Sequence, residues 1–330
     1  MDPITHTAVG LTIAQAGGKR LTTNWAPVIV LAAIAPDGDN LFAWPGSLEL
    51  LHWHRHFTHS FAFAPMLALA IVLFVKYVLR REVQFKGALV LALLGVLSHD
   101  LIDFLTFRGT RLWLPFSDEV FALQIASFRD PVFYVLLGLG FAIPMLSNLV
   151  NQEIGSKKSS GIVSAWVSLC LCVAWFGARY LFHEQAVAEL NSRIYNGRSA
   201  RRVEALATTN PFRFIGLVDG QDFQKTLEMN LLDSFDPEDG QPLYRPVPSV
   251  ESGRALRSAG NAKSAQIFLA WSRWPRWQVI RMDGETRWVV SIEDIATEPN
   301  LKRPRVVIRL DENYAIQSEV YERAKGFLGL

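Results

Sequence analysis

FKGALVLALLGVLSHDLIDFL, Phe85–Leu105, decides how the rest of the chain is read. It is long enough to cross a bilayer, since a spanning helix needs about 20 mostly apolar residues. Yet it carries His99, Asp100 and Asp103 near its C-terminal end. His99 and Asp103 are four residues apart, so a helix projects them from one face toward one point. Leaving such groups unpaired at membrane depth would cost several kcal/mol each. Asp100 is turned about 100° away from His99 and is expected to support the site rather than enter it.

Similar apolar runs lie on both sides. Phe61–Leu79, Pro131–Val150 and Gly161–Phe182 each have the length and composition of a span. Pro27–Trp44 is apolar but interrupted by Pro36-Asp37-Gly38-Asp39, and Ile4–Gly17 has only half-length character. The 330 residues are 50% hydrophobic and 19% charged, an average that hides a break at Phe182, after which the chain reads as a soluble sequence. The expected fold is therefore an α-helical multi-pass membrane bundle, residues 1–182. A soluble α+β domain with a mainly antiparallel sheet follows over residues 183–330, led by a helix at 183–210. A net charge of +2 gives no field that would draw nucleic acid, and none is expected as a partner. Cys170 and Cys172 read as small apolar fillers. No cleavable signal peptide is expected, because Lys19 and Arg20 follow the first apolar stretch instead of preceding it.

The loop charges orient the spans. Lys19 and Arg20, then Arg80, Arg81 and Lys86, then Lys157 and Lys158 fall on one side if each segment crosses, and the positive-inside rule makes that side cytoplasmic. The opposite side collects His6, Asp37, Asp39, the His52–His59 cluster, His99, Asp103 and Asp130, and places the C-terminal domain outside the cytoplasm.

Six of the seven histidines lie in the first 99 residues. His6 opens an apolar helix. Asp37 and Asp39 flank a glycine where Pro36 and Gly38 break a helix, and two neighbouring carboxylates repel unless a cation or proton lies between them. His52, His54, His56 and His59 stand directly before a membrane segment; on a helix His56 and His59 would share a face. Neutral imidazole is a common metal ligand, and Arg55 can grip a phosphate or carboxylate with two parallel N–H donors.

The set Thr5-His6-x-x-x-Gly10, Pro36-Asp37-x-Asp39, His54-Arg55-x-x-Thr58-His59-Ser60 and His99-x-x-x-Asp103, followed by Pro115-Phe116, resembles the YdjM-like family over roughly Met1–Val150. That family is described as membrane-bound, metal-dependent hydrolases, also labelled LexA-binding, inner-membrane-associated hydrolases. The resemblance implies a reaction class and an inner-membrane location but no substrate. His52 and His56 are additional to the family pattern. The His-x-x-x-Asp helix is also similar, over that one short motif, to zinc-dependent phospholipase C enzymes.

The reading that follows is a site of one or two divalent ions, Zn²⁺ first, with Mn²⁺ or Fe²⁺ compatible with mixed His/Asp ligation. His6, Asp37, Asp39, His54, His59, His99 and Asp103 are the candidate ligands. Asp39 is the candidate general base, and Arg55 the group that meets charge on a phosphate oxygen. Thr58 and Ser60 are expected as supporting donors. The expected substrate is an ester or phosphoester, a lipid-linked one being suggested by the membrane setting. Two other functions use the same residues: a transporter for metal ions or protons, and a scaffold with a structural metal.

In the second half, Phe212–Val218, Ala265–Trp271, Trp277–Met282, Thr286–Ile292 and Arg305–Leu310 are rich in β-branched and aromatic residues and are read as strands. Asp283-Gly284 and Asp311-Glu312-Asn313 are read as turns, Glu184–Leu206 as a helix, and Ser234–Gly260 as a long loop.

Overall fold

Phe85–Phe104 is one helix of 20 residues, and it organises the N-terminal region. In chain order the helices are α1 (Pro3–Gln15), α2 (Trp25–Ile34), α3 (Leu48–Trp53), α4 (Ala64–Leu73), α5 (Phe85–Phe104), α6 (Pro131–Glu153) and α7 (Ile162–Ser192). This computed structural model describes residues 1–42, 47–157, 159–246, 249–282, 288–296 and 302–323. The chain divides into two units. One is Met1–Asp39, Arg55–Phe182 and Ala207–Pro211; the other is Asn40–His54, His183–Leu206 and Phe212–Leu330.

In the first unit α5, α6 and α7 are, among the described residues, the three helices long and apolar enough to cross a membrane. A fourth crossing arises only if Leu48–His59 is counted together with Ala64–Val78, where α4 continues as a π-helical turn, Phe74–Val78. Outward faces of α6 and α7 expose Val135, Ile143, Met145, Val163, Trp166 and Val173. Contiguous apolar exposure of that kind is what lipid contact requires and what water would penalise.

With 13 and 10 residues, α1 and α2 are too short to span, and they pack against α5 instead. Small residues allow a close approach. A Cβ at Gly10 would lie 3.0 Å from the Ala33 Cβ, and one at Gly95 would lie 2.6 Å from the Ala32 Cβ. Val28, Ile29, Ala32, Leu91, Ala92 and Val96 then fill one core with Ala68 and Val72 of α4. At the end away from these glycines, Thr23 and Asn24 hydrogen-bond to the Glu82 carbonyl and the Gln84 amide nitrogen donates to Thr22. The loops bearing Lys19 and Arg20 and bearing Arg80 and Arg81 therefore meet at one end of the bundle.

Two charged residues of the first unit are absorbed by its architecture. Asp130 caps α6 by accepting from the Phe133 amide at 3.0 Å and also takes the Trp175 indole N–H. Arg179, buried on α7, donates to the carbonyls of Ile125, Pro211 and Thr208.

In the second unit the helix expected over Glu184–Leu206 ends at Ser192. A hairpin follows, β1 (Ile194–Tyr195) with β2 (Arg198–Ser199), closed by Asn196 and Gly197, both at positive φ. That Asn-Gly pair is a strong hairpin signal and overrides helical spacing. One four-stranded sheet then has the order β3 (Arg202–Ala207), β4 (Arg213–Asp219), β5 (Phe223–Asn230), β6 (Leu243–Tyr244). The other is made of β7 (Pro275–Arg281), β8 (Trp288–Asp294), β9 (Arg305–Leu310) and β10 (Ile316–Glu322), antiparallel throughout.

Two further expectations are corrected in this unit. The segment Ser234–Gly260, read as loop, contains α8 (Val250–Gly260), which Ser249 and Ser252 start with a reciprocal capping box. Ala265–Trp271, read as a strand, lies in α9 (Lys263–Trp271). Its apolar residues Ala265 and Phe268 are three apart and pack with Ala255, Ala259 and Ala262 onto Val290, Ile292, Val306 and Ile308. Period-three burial defeats the aromatic composition. The Asp283-Gly284 turn lies outside the described residues, whereas the Asp311 turn closes β9 to β10 through Asp311 N–H to the Ala315 carbonyl.

Candidate metal centre

Three helices deliver their site residues one turn from the small-residue contacts. His6 precedes Gly10 by four residues on α1, Asp37 follows Ala33 by four beyond α2, and His99 follows Gly95 by four on α5. A turn of helix is 3.6 residues, so each side chain emerges above the point of closest approach and on the same side. Asp103 stands one further turn along α5. His59 arrives from a separate segment, the 3-10 turn Phe57–His59 before α4.

Four donor atoms converge: Asp37 Oδ1, His59 Nε2, His99 Nε2 and Asp103 Oδ2. His59 Nε2 is 3.1 Å from His99 Nε2, 3.7 Å from the Asp37 oxygen and 3.7 Å from the Asp103 oxygen. His99 Nε2 is 3.6 Å from Asp37 and 3.8 Å from Asp103. A tetrahedral ion with N and O ligands at about 2.0–2.2 Å sets its donors roughly 3.3–3.6 Å apart. The observed spacings lie within a few tenths of an ångström of that figure. His59, His99 and Asp103 are fully buried. A proton can satisfy one of these contacts, not a set of four.

The outer nitrogens fix the inner ones. His99 Nδ1 lies 2.8 Å from the Ala33 carbonyl, which only accepts, so this nitrogen carries the proton and Nε2 presents its lone pair to the cluster. His59 Nδ1 faces the Thr58 hydroxyl at 3.1 Å and Asp39 Oδ2 at 3.5 Å. That carboxylate oxygen also accepts from the Arg55 amide and from Thr58 Oγ1, each at 2.9 Å. A carboxylate behind an imidazole is the usual arrangement that turns a metal-ligating histidine and raises its basicity. Burial alone would push the Asp37 carboxyl up, but His59 against it and the nearby His99 hold it well below the usual carboxylate range.

Other expected site residues are not among the four converging donors. His6 is buried and stacks on His99 with ring centroids 3.7 Å apart; neither of its ring nitrogens has a hydrogen-bond partner among the described residues, and Nε2 lies 3.5 Å from Asp103 Oδ1. Arg55, held at positive φ, places Nη2 2.9 Å from Asp103 Oδ2 and Nη1 on the Thr106 hydroxyl and the Gly109 carbonyl. The Met1 nitrogen meets Asp103 Oδ1. His54 caps α3 and belongs to the second unit. His52 is exposed on α3, and His56 precedes the 3-10 turn with its ring edge-on to Phe57. The shared helical face expected for His56 and His59 is not formed, because α3 ends at Trp53. Ser60 donates to the Phe57 carbonyl.

Sequence reasoning gave Asp2 and Thr106 no role. Asp2 caps α1, accepting from the amides of Ile4 and Thr5, the Thr5 hydroxyl and the Tyr134 hydroxyl. Burial would raise its carboxyl, but these donors hold it below the ordinary value. An Asp-Pro pair before an apolar run is a helix-start signal that could have found it. Thr106, three residues beyond Asp103, donates to the Asp103 carbonyl and accepts from Arg55. Asp100 is fully buried, and neither of its oxygens has a hydrogen-bond partner among the described residues.

A bundle of membrane helices that gathers two imidazoles and two carboxylates around one point is the class this architecture defines, and such a cluster could hold a metal ion. The chain belongs to the YdjM inner membrane protein family, whose model matches residues 1–186. No curated protein and no solved structure matches it.

Proposed function

We propose that this protein is a membrane-bound, metal-dependent hydrolase of an ester or phosphoester. The convergence of Asp37, His59, His99 and Asp103, with each imidazole nitrogen 3.1–3.8 Å from the other three donors, carries the reading. Zn²⁺ is the ion that two imidazoles and two carboxylates suit best, and when bound it would supply Lewis acidity and a water acidic enough to react near neutral pH. Among the chain's own groups, Asp39 orients His59 from behind. Its Oδ2 accepts from the Arg55 amide and the Thr58 hydroxyl. Arg55, beside Asp103, supplies the fixed positive charge that a phosphoryl oxygen would meet. His6, stacked on His99 and without a hydrogen-bond partner among the described residues, is the next candidate ligand.

Position along the helix favours hydrolysis over transport. His99 and Asp103 occupy the last two turns of α5, whereas transporter sites lie near mid-bilayer. The basic loops at the other end of the bundle support a non-cytoplasmic site and C-terminal domain. Modification of an introduced Ser156→Cys by a membrane-impermeant thiol reagent only from the cytoplasmic side is the expected result, and modification from outside would reverse the orientation.

The test is metal analysis of detergent-purified protein with His99→Ala and Asp103→Ala beside it. The unaltered chain is expected to retain about one equivalent of zinc per site and to hydrolyse generic phosphoesters until chelated. Metal content unchanged in both variants would remove the ligand assignment, and hydrolysis that survives chelation would remove the mechanism.

A further inference from the structure

The connection from α5 to α6, residues 105–130, closes on itself beside the cluster. Thr106 pairs with Ala126 and Thr110 with Phe121, and the Gly109 carbonyl receives Arg55. From this base Trp113–Phe116 projects outward. Leu112 and Leu114 are buried, while Trp113 is 52% and Phe116 85% exposed. The Leu112 carbonyl accepts from the Phe61 amide at 3.0 Å, and the Trp113 ring stands edge-on to the Phe61 ring at 5.5 Å. Phe61 is itself 41% exposed and lies two residues after His59. An aromatic ridge of Phe61, Trp113 and Phe116 is thus built on the segments that carry the site.

Connectivity and composition place this ridge. It joins the C-terminal end of one candidate span to the N-terminal start of the next, and α4 begins three residues after Phe61. Those ends mark one membrane face. Residues 105–130 hold three arginines, Arg108, Arg111 and Arg129, and three acids, Asp118, Glu119 and Asp130, so the connection has no net charge. It offers aromatic area instead of a field. Exposed aromatics at the ends of spans form the belt that sits at headgroup level. The same end of the bundle exposes Ile4 on α1 and Leu101 on α5, which continues the apolar surface of the spans.

We propose that the Phe61–Trp113–Phe116 ridge is seated in the headgroup layer, and that the adjacent centre acts on an amphiphile resident in the bilayer, an ester or phosphoester whose acyl chains remain among the lipids. The second half of this statement rests on the hydrolase reading; the first does not.

The seating is tested on the full chain with Cys170→Ala and Cys172→Ala, carrying Phe116→Cys or Ser156→Cys labelled with an environment-sensitive fluorophore in phosphatidylcholine nanodiscs. Ser156 is exposed in the connection from α6 to α7. The label at 116 is expected to be quenched by shallow spin-labelled lipid and shielded from iodide, and the label at 156 to show the reverse. Equal iodide access at both positions overturns the seating. Delivery is tested by comparing one ester presented in vesicles with its short-chain soluble analogue. In the Trp113→Ser, Phe116→Ser double variant the ratio of vesicle to soluble turnover should fall about ten-fold or more, since two large apolar contacts with lipid are lost. An unchanged ratio overturns delivery. If the unaltered chain hydrolyses neither ester, delivery falls together with the hydrolase reading, while the quenching result still decides the seating.

Discussion

At the scale of single residues, Asp39 separates ligation from orientation. Its Oδ2 binds the Arg55 amide and the Thr58 hydroxyl and faces the outer nitrogen of His59. Asp39→Asn keeps the shape and removes the charge behind the imidazole. Loss of such a supporting carboxylate typically costs about 10–100-fold in metal affinity. Competition with a fluorescent chelator should therefore show weaker but measurable binding, in contrast with the near-total loss expected for His99→Ala. Affinity equal to that of the unaltered chain would show that Asp39 does not support His59. Acid should act through the imidazoles. Asp37 is held well below the usual carboxylate range and stays ionised as pH falls toward about 5, so it does not compete for protons there. His59 and His99 must present a lone pair to the ion, and protons compete for it. Burial alone would lower the His59 imidazole, but Asp37 and Asp39 against it push it up to about 10, so metal affinity should still be rising with pH at pH 8. A zinc titration repeated from pH 5 to pH 8 measures this, and a flat profile would exclude histidine ligation.

At the scale of elements, the metal centre depends on how closely α1, α2 and α5 approach. Gly95→Val would put a side chain where a Cβ already lies 2.6 Å from the Ala32 Cβ. Overpacking of this kind costs about 1–3 kcal/mol, and here it would part the helices one turn below His99. Lower thermal stability together with weaker zinc binding is expected, while Gly138→Ala, with open space around it, should change neither appreciably. Wild-type zinc affinity in Gly95→Val would detach the site from this packing. At the start of α1, Asp2→Ala removes the cap and should cost about 0.5–2 kcal/mol, seen as a lowered melting temperature in detergent. These elements also show what the sequence made legible. The length and apolarity of Phe85–Phe104, and the four-residue step from His99 to Asp103, follow from helix geometry and could be read directly. Convergence of Asp37 and His59 on them could be suspected from ligand types, but not the division of labour between Asp37 and Asp39, which depends on backbone donors from Arg55. The second unit was less readable. Ala265–Trp271 looks like a strand by composition and becomes helical because Ala255, Ala259 and Phe268 must cover one sheet face. Asn196-Gly197 ended a helix that charge spacing alone would have continued.

At the scale of the whole molecule, two compact units imply two separate responses to metal. The cluster ties together the turn after α2, the turn before α4 and the last turns of α5, all within the first unit. The second unit has its own core, Ala255, Phe268, Val290, Ile292, Val306 and Ile308, and contributes none of the four converging donors. An ion bound only by the folded state stabilises it by RT ln(1 + [L]/Kd), about 2.7 kcal/mol at a hundred times Kd. Stabilisation reaches those segments whose opening breaks the site, because amide exchange reports local and sub-global unfolding separately. Hydrogen exchange on the full chain, with zinc and after chelation, should therefore show protection gained in residues 33–39 and 55–60 and in the last turns of Phe85–Phe104. The strands Trp288–Asp294 and Arg305–Leu310 should exchange at the same rate in both states. If zinc protects both regions alike, the two units open together and the metal acts on the molecule as one cooperative body. If it protects neither, the four converging donors are held in place without an ion.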